Sequence, residues 1–362
     1  MEIVKLDLTR FITENKDWEQ KLSEKPYCIT VKRKEPYILF SYSQIDSDFY
    51  NPIVKECRGI ILDERTFTPV CVPFFKFGNY GDGYVDTIDW STARVQEKVD
   101  GSLIKVWYHD GAWHVSTNGT IDAKDATVSE ISPYTTYYDL FIAAARNSNL
   151  DITSLNKDYT WMFELISPYN RVVVPYTETE VRHIGTRNIH TLEECDIDIG
   201  VTKPKAYGFT SLDDCISMAS ELPFSKEGYV VVDKYWHRNK VKSPAYVAAH
   251  HLKNNGIVTY ERIVGLVREN EQDEFLVYYP EFKEGFTKVQ NAINEFISRL
   301  ESDKKYANGN IDLSNRKIFA MYATKTICPA FLFSWLDNKC DSTTEWLWNQ
   351  TDDKIVKWVG LK

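Results

Sequence analysis

The sequence feature that most constrains the fold is an alternating segment with a tight turn, SLIKVWYHDGAWHVST at 102–117. In an extended strand, successive side chains point to opposite faces, so residues 102–108 can present two apolar faces. Asp110-Gly111 is a dipeptide typical of two-residue hairpin turns, and residues 112–117 provide the returning strand. The pattern therefore predicts an antiparallel β-hairpin.

The residues that lead into this hairpin, EKVDG at 97–101, place Lys98 between the carboxylates of Glu97 and Asp100. By itself this is an ordinary surface turn, because Asp-Gly favours turns and lysine is usually solvated. A free lysine, with a pKa of about 10.4, is a poor nucleophile at neutral pH unless burial or nearby cations lower its pKa. Whether Lys98 is a solvated surface residue or a nucleophile therefore depends on the charged groups elsewhere in the chain.

The composition excludes several classes of protein. Hydrophobic residues make up 43% of the 362 residues, which predicts a folded chain with room for two domains. The net charge of -9 argues against a protein that coats nucleic acid through a broad basic face, but it allows a compact basic pocket. No run of about 18 apolar residues occurs, so we expect no membrane span.

The cysteines and the N-terminus predict the compartment. The seven cysteines include no C-x-x-C pair, which favours reduced thiols over a disulfide framework or a zinc site. The first residues, MEIVKLDLTRFITENKDWEQ, are too charged for a secretory signal. We therefore expect a cytoplasmic protein.

Two regions of different character divide the chain. Residues 1–242 contain short strand-like runs separated by turn residues, which predicts an α+β domain of antiparallel sheets with flanking helices. The predicted strands include 70–77 and 172–174. Ser243-Pro244 is a helix N-cap followed by proline, and apolar residues from Phe282 to Leu300 recur at helical spacing. We therefore predict an all-α domain at 243–362.

Charged residues interrupt or flank several apolar strands in the first region. Glu164 lies within WMFELI, Glu227 precedes GYVVVD, and Arg58 opens RGIIL. Lys240 and Lys242 are two residues apart and hence share one face of a strand. Each alone is most simply a buried ion pair or a strand end facing water. An amine that attacks a nucleotide α-phosphate requires cations that neutralise the phosphates and carboxylates that hold a metal. These residues together include both kinds of group.

Seven sequence blocks occur in a fixed order along roughly residues 37–253. They are ECRGI at 56–60, FFKFGN at 74–79, EKVDGS at 97–102, STNGT at 116–120, MFELISPYNRVVVPY at 162–176, EGYVVV at 227–232 and KVKSPAYVAAHH at 240–251. In this order the blocks resemble the covalent nucleotidyltransferase superfamily, which includes ATP-dependent ligases and RNA capping enzymes. They are most similar to the RNA ligase 1 family typified by the T-even bacteriophage enzyme.

The resemblance implies an ATP-dependent RNA ligase that needs Mg²⁺ or Mn²⁺. A lysine attacks the α-phosphate of ATP, AMP passes to an RNA 5′-phosphate, and a 3′-hydroxyl then displaces AMP. The implied partner is RNA with 5′-phosphate and 3′-hydroxyl ends, with cleaved tRNA as a candidate substrate. It also implies RNA repair in the cytoplasm, which would be the host's for a phage protein. We favour a monomer and expect no membrane partner.

The resemblance also assigns roles to individual residues. Lys98 is the nucleophile, and Asp100 and Gly101 shape its turn. Glu97 lies beside the adenine, Glu164 contacts the ribose, and Glu227 supports the metal and catalysis. The residues assigned to the phosphates or the nucleotide pocket are Arg58, Lys76, Lys240, Lys242 and Tyr42, of which Lys240 and Lys242 also act in catalysis.

Two further positions bear on this comparison. Arg187, in GTRN, matches the arginine of the family block that precedes the last carboxylate block. In STNGT the phage family has a lysine before the glycine, and this chain has Asn118. Asparagine can hydrogen-bond but carries no charge, so the contact made there by the family is in question.

Other functions compete with this interpretation. DNA ligases and capping guanylyltransferases normally follow the K-x-K strand with a small β-barrel, and the predicted helices after Ser243 argue against both. A non-catalytic or adenylate-dependent RNA-end-binding protein with the same fold would not need Lys98. An enzyme that forms a Schiff base through lysine would not need the Lys240 and Lys242 pair.

Overall fold

A computed structural model describes residues 6–128, 132–251, 259–278, 280–340 and 342–361. The chain divides into two compact units, Met1–His250 and His251–Lys362. The first unit contains antiparallel sheets and helices, and the described regular elements of the second are helical. The expected α+β class is therefore confirmed, whereas the domain boundary at residue 243 stays a prediction. None of the helices in the described ranges has the length and apolar character to span a membrane.

The strands of the first unit are β1 Ile29–Lys34, β2 Tyr37–Tyr42, β3 Arg58–Asp63, β4 Pro69–Cys71, β5 Arg94–Lys98, β6 Ser102–His109, β7 Ala112–Thr117, β8 Tyr159–Ile166, β9 Glu180–Asn188, β10 Glu194–Cys195, β11 Ala206–Tyr207, β12 Gly228–Val232 and β13 Arg238–Lys242. Its helices are α1 Asp7–Glu14, α2 Trp18–Ser23, α3 Pro52–Glu56, α4 Tyr137–Asn147, α5 Leu212–Ser220 and α6 Pro244–His251. The helices that follow are α7 Tyr260–Arg268, α8 Gln272–Tyr278, α9 Lys283–Asn310, α10 Arg316–Ala323, α11 Pro329–Leu336, α12 Thr343–Trp348 and α13 Asp352–Trp358.

The strands form three sheets with the orders β1-β2-β3-β4, β10-β9-β8-β6-β7 and β11-β5-β12-β13. Their pairings are antiparallel. The chain passes from the third sheet into the second at residues 99–101, between β5 and β6. Residues at this crossing therefore lie where two sheets meet.

The predicted hairpin is confirmed as β6 and β7, with Tyr108 opposite Trp113. Asp110 and Gly111 have φ of 47° and 82°, as a type I′ turn requires. Both faces of β6 are buried. Ile104 and Val106 belong to a core that includes residues of α4, and Trp107 packs edge-on against Tyr37 of the first sheet.

The FFKFGN segment is not the continuous strand predicted at 70–77, because β4 ends at Cys71. Its backbone bonds to other groups instead. The Val72 N–H donates to Thr160 Oγ1, and the Lys240 N–H donates to the Gly78 carbonyl. The segment thus runs between sheets as an extended loop.

The predicted strand at 172–174 is also absent, for a similar reason. The N–H groups of Val173 and Val174 both donate to the carboxylate of Asp100, at 3.0 and 2.7 Å. A buried side chain therefore takes the hydrogen bonds that a strand neighbour would have made.

The N-terminal helices, which the sequence did not predict, pack against the core of the first sheet, and a buried carboxylate also holds the start of α1. The N–H groups of Asp7 and Leu8 donate to Glu56 at 3.0 and 2.8 Å, which satisfies the N-terminus of α1. Burial raises the pKa of Glu56 to about 7, although these hydrogen bonds favour its ionised form. Glu56 lies two residues before Arg58, so it links α1 to the start of β3.

The helical predictions near the C-terminus agree with the structure. The Ser243 hydroxyl accepts from the Tyr246 N–H at 3.2 Å as α6 begins. The sequence predicts helix from Ala245 to Lys253, and residues 252–253 lie outside the described residues. The apolar stripe expected from the spacing is the buried face of α9, which comprises Phe286, Val289, Ile293, Phe296 and Leu300.

Candidate active site

Lys98 is the last residue of β5 and lies beside a buried carboxylate. Its Nζ is 2.8 Å from Oε2 of Glu227, whose side chain is only 5% exposed. Gly228 pairs with Lys98 on one side and with Lys242 on the other. The Nζ of Lys242 is 3.8 Å from Oε1 of the same carboxylate. Glu227 thus lies between two lysines from neighbouring strands.

Gly228 makes this close arrangement possible. Its φ of 140° is one that residues with side chains rarely adopt. A Cβ at this position would overlap the carbonyl oxygen of Val241 on the neighbouring strand. Only glycine allows β12 to start this close to β13.

The turn after Lys98 is held from two sides. The Gly101 N–H donates to Oε1 of Glu164 at 3.1 Å, and a Cβ on Gly101 would overlap the carbonyl of Leu165. The Asp100 carboxylate accepts the two N–H bonds from 173–174 and a 2.8 Å bond from the hydroxyl of Tyr246. Asp100 therefore fixes the turn through its buried contacts.

Tyr246, on α6, is a residue that sequence reasoning missed. It is 3% exposed and bonds directly to Asp100. Its only sequence signal was its place in KVKSPAYVAAHH, four residues after Lys242.

Glu164 and Glu227 are carboxylates near Lys98 that influence each other through their charges. Burial raises the pKa of Glu164 to about 7; the Lys98 ammonium opposes this shift, and the charge of Glu227 adds to it. Crowded carboxylate oxygens are the ligands that a hard divalent cation prefers, because the cation relieves their repulsion. These two residues therefore fit a divalent metal.

A cavity of about 110 Å³ opens beside Lys98. Arg58, at the start of β3, is half-buried, and its Nη1 has no hydrogen-bond partner among the described residues. The Oε1 atom of Glu97 lies 2.8 Å from Nζ of Lys226. The sequence-predicted site residues that line this cavity are Arg58, Glu97, Lys98, Glu164 and Lys240.

Phe77, which also lines the cavity, was not singled out in the sequence. Its ring centroid lies 5.2 Å from the guanidinium of Arg58, 5.5 Å from that of Arg238 and 5.1 Å from Nζ of Lys240. Such distances allow cation–π attraction, so the ring holds three cations in place. The aromatic residues of FFKFGN were the available signal.

Arg187 lies behind this loop. Arg187 and Arg238 bond to the buried carboxylate of Glu194 at 2.5 and 2.8 Å. Burial alone would raise the pKa of Glu194, but the two guanidinium groups lower it. The guanidinium carbon of Arg187 lies 4.0 Å from the ring centroid of Phe75, and that of Arg238 lies 4.1 Å from the ring centroid of Phe74. These arginines support the loop that carries Phe77.

Lys76 and Tyr42 lie together beyond Phe77. The Nζ of Lys76 is 4.4 Å from the ring centroid of Phe49 and 5.1 Å from that of Tyr42. Burial raises the pKa of Tyr42, and the neighbouring Arg58 opposes the shift. Lys76 lines an adjacent cleft rather than the cavity at Lys98.

Asn118 lies beside a buried lysine. The Nζ of Lys105 donates to the carbonyl of Gly59 at 2.5 Å, and Lys105 is fully buried. A Cβ on Gly59 would lie 3.0 Å from this Nζ and 3.2 Å from Oδ1 of Asn118. Both side chains therefore meet next to Arg58. The charge that the phage family places at 118 is absent here, but an ammonium from β6 lies beside that position.

We expect Lys105→Met to change how stability depends on pH. Burial lowers the pKa of Lys105 to about 8, against about 10.4 in an unfolded chain. Between these values the unfolded chain binds a proton that the folded protein lacks, so wild-type stability gains as pH rises. The free energy of unfolding of the variant minus that of the wild type should therefore fall by about 3 kcal/mol from pH 7 to pH 10.5. Denaturant titrations would measure it.

The exposed Lys157 provides the control. Lys157→Met should show no such pH-dependent difference from the wild type. A Lys105→Met difference that stays constant across this pH range would contradict the expectation.

We expect Gly101→Ala to lower the free energy of unfolding by about 1–3 kcal/mol, because the new methyl group must displace backbone at Leu165. Gly208→Ala is the matched control, since no atom lies within 4 Å of the position its Cβ would take. The control should change stability by less than about 0.5 kcal/mol. Equal effects of the two substitutions in thermal or denaturant unfolding would count against the tight turn.

Comparisons with known proteins identify relatives of this chain. No protein-family model matches the chain. The chain is 31% identical over 287 residues to a protein of Autographa californica nuclear polyhedrosis virus that is named as a bifunctional polynucleotide kinase/RNA ligase. That alignment covers 72% of this chain and spans 40% of the viral protein.

A second relative is an RNA ligase of Rhodothermus phage RM378, 25% identical over 314 residues, covering 68% of this chain and 70% of that protein. Among solved structures, an archaeal ATP-dependent RNA ligase overlays with a TM-score of 0.45 at 13% identity, covering 87% of this chain and 88% of that one. In sequence, this chain is therefore similar to a viral and a phage protein that are named as RNA ligases.

Proposed function

We propose that this protein is an ATP-dependent RNA ligase that joins 5′-phosphate and 3′-hydroxyl RNA ends through a lysyl-AMP intermediate on Lys98. The observation that carries the proposal is Lys98, which contacts the buried carboxylate of Glu227 and lines a cavity together with Arg58 and Lys240. A structural lysine would not need phosphate-binding cations and carboxylates around it. The names of the relatives supply the class of substrate.

In the first step, the neutral amine of Lys98 attacks the α-phosphorus of ATP. A nitrogen–phosphorus bond forms, the bond to the bridging oxygen breaks, and pyrophosphate leaves. An ammonium has no lone pair, so Lys98 must attack as a neutral amine. Arg58, Lys240 and Lys242 are the cations placed to neutralise the phosphates.

Two transfers complete the reaction. An oxygen of the RNA 5′-phosphate attacks the α-phosphorus of lysyl-AMP, and the amine of Lys98 leaves. A 3′-hydroxyl then attacks the activated 5′-phosphate, forming the phosphodiester and releasing AMP. We extend the proposal to RNA repair in a host cytoplasm, with cleaved tRNA as a substrate.

Glu164 and Glu227 would hold Mg²⁺ or Mn²⁺, which supplies positive charge against the phosphates. The cavity at Lys98, at about 110 Å³, is smaller than the roughly 300–1,000 Å³ of typical ligand sites. ATP binding therefore requires side chains around this cavity to separate.

The decisive experiment incubates the protein with ATP labelled at the α-phosphate and Mg²⁺ or Mn²⁺, followed by denaturing electrophoresis. We expect label on the wild type and on Lys157→Ala, an exposed control, and none on Lys98→Ala. Folded wild-type protein that takes no label from ATP or GTP would refute the proposal, as would a labelled Lys98→Ala variant.

We further expect Glu227→Gln to reduce the rate of labelling by roughly 100-fold or more, which is typical for loss of a preorganised charged group in an active site. Glu178→Gln, at an exposed position, is the matched control and should label at the wild-type rate. Rapid-quench measurement of the labelled protein gives both rates. Near-normal labelling of Glu227→Gln would show that the first step does not require this carboxylate.

A further inference from the structure

A second, larger cleft lies next to the cavity at Lys98. Its volume is about 590 Å³, and it shares Phe77 and Arg238 with that cavity. Five cationic side chains and three carboxylates line it, an excess of positive charge in a chain of net charge -9. The cations are Lys55, Lys76, Arg187, Lys234 and Arg238, and the carboxylates are Asp86, Glu193 and Glu194.

Part of this cleft is rigid. Arg187 and Arg238 have side chains that are 6% and 9% exposed and are held by Glu194. The buried Nε of Arg187 has no hydrogen-bond partner among the described residues. Two buried guanidinium groups share a single carboxylate, so this part of the cleft retains positive charge that can attract an anion.

The turn between β12 and β13 forms another part of the lining. The Asp233 carboxylate accepts from the N–H groups of Tyr235 and His237, at 2.9 and 3.0 Å, and from the Asp89 N–H at 3.0 Å. Trp236 has a φ of 66°, which is unfavourable for a bulky residue and persists only where its surroundings enforce it. The turn is therefore fixed in one conformation.

This fixed turn presents an aromatic ring to solvent. Tyr235 is 61% exposed, so its ring is accessible to a binding partner. The Nζ of Lys234 lies 4.8 Å from the ring centroid. An exposed ring beside cations is how proteins bind single-stranded nucleic acids, since the base stacks and the cations follow the phosphates. Pyrophosphate alone would have no use for the ring.

We infer that this cleft binds the single-stranded RNA end that accepts AMP, with a base stacked on Tyr235 and its backbone phosphates near Lys55 and Lys234. The inference rests on the proposed function, because it deepens it by locating the RNA. The shared residues Phe77 and Arg238 connect the cleft with the cavity at Lys98, so an RNA bound in the cleft can reach the adenylate.

The test uses Tyr235→Ala and Lys234→Glu in the full chain. Binding of a fluorescent 5′-phosphorylated single-stranded RNA is measured by anisotropy, and labelling of Lys98 from ATP is measured separately. We expect each substitution to weaken RNA binding about fivefold to 100-fold, as loss of one stacked base does, while labelling stays within twofold. Lys234→Glu should also make binding less dependent on salt.

Phe224→Ala and Lys16→Glu are the matched controls, because both residues are exposed and line neither the cleft nor the cavity. RNA affinity that is unchanged in both test variants, or reduced equally in the controls, would overturn the inference. Because binding is read directly, it decides this inference even if Lys98 takes no label. Failure of the proposed function would appear instead as the absence of labelling in the wild type.

Discussion

The interaction on which the rest of the site depends is the contact of one buried carboxylate, Glu227, with two lysines from neighbouring strands. A buried carboxylate without cations would be protonated or would destabilise the fold. With Lys98 and Lys242 beside it, the charge is tolerated, and the glycine that follows allows the strands to approach closely enough. The same contact fixes the side chain of Lys98 at the end of β5.

Cations and aromatic rings organise the surroundings of this contact. The loop carrying Phe74, Phe75 and Phe77 does not belong to a sheet, yet guanidinium groups stack on each ring. Since aromatic faces attract cations and exclude water, such stacking holds arginines without neutralising them. The protein can therefore concentrate positive charge in one region of an acidic molecule, with Glu194 as the buried counter-charge.

Local sequence patterns predicted some parts of this molecule well. The Asp-Gly turn, the K-x-K pair on one strand face and the apolar stripe of α9 depend on neighbouring residues, and all three appear in the structure. Local patterns did not predict structure that depends on residues distant in sequence. The strand predicted at 172–174 does not form because Asp100 accepts the hydrogen bonds of 173–174, and β5 forms beside strands that are far away in sequence. Tyr246 and Phe77 were missed for the same reason, because their partners lie outside their own segments. The family resemblance pointed to Lys98 as the candidate nucleophile, and the structure shows which groups lie around it.

The carboxylate of Glu56 has a consequence for how this protein can be handled. It holds the first turn of α1 and stands two residues before Arg58, so the amino-terminal helix and the start of β3 share a support. Removing that helix would leave a buried acid without its two donors, a change that favours protonation or local unfolding at the edge of the candidate nucleotide cavity. The amino-terminal helix is therefore part of the structural support of the candidate site, and truncating or rigidly fusing the chain there would act on the unit that contains Lys98.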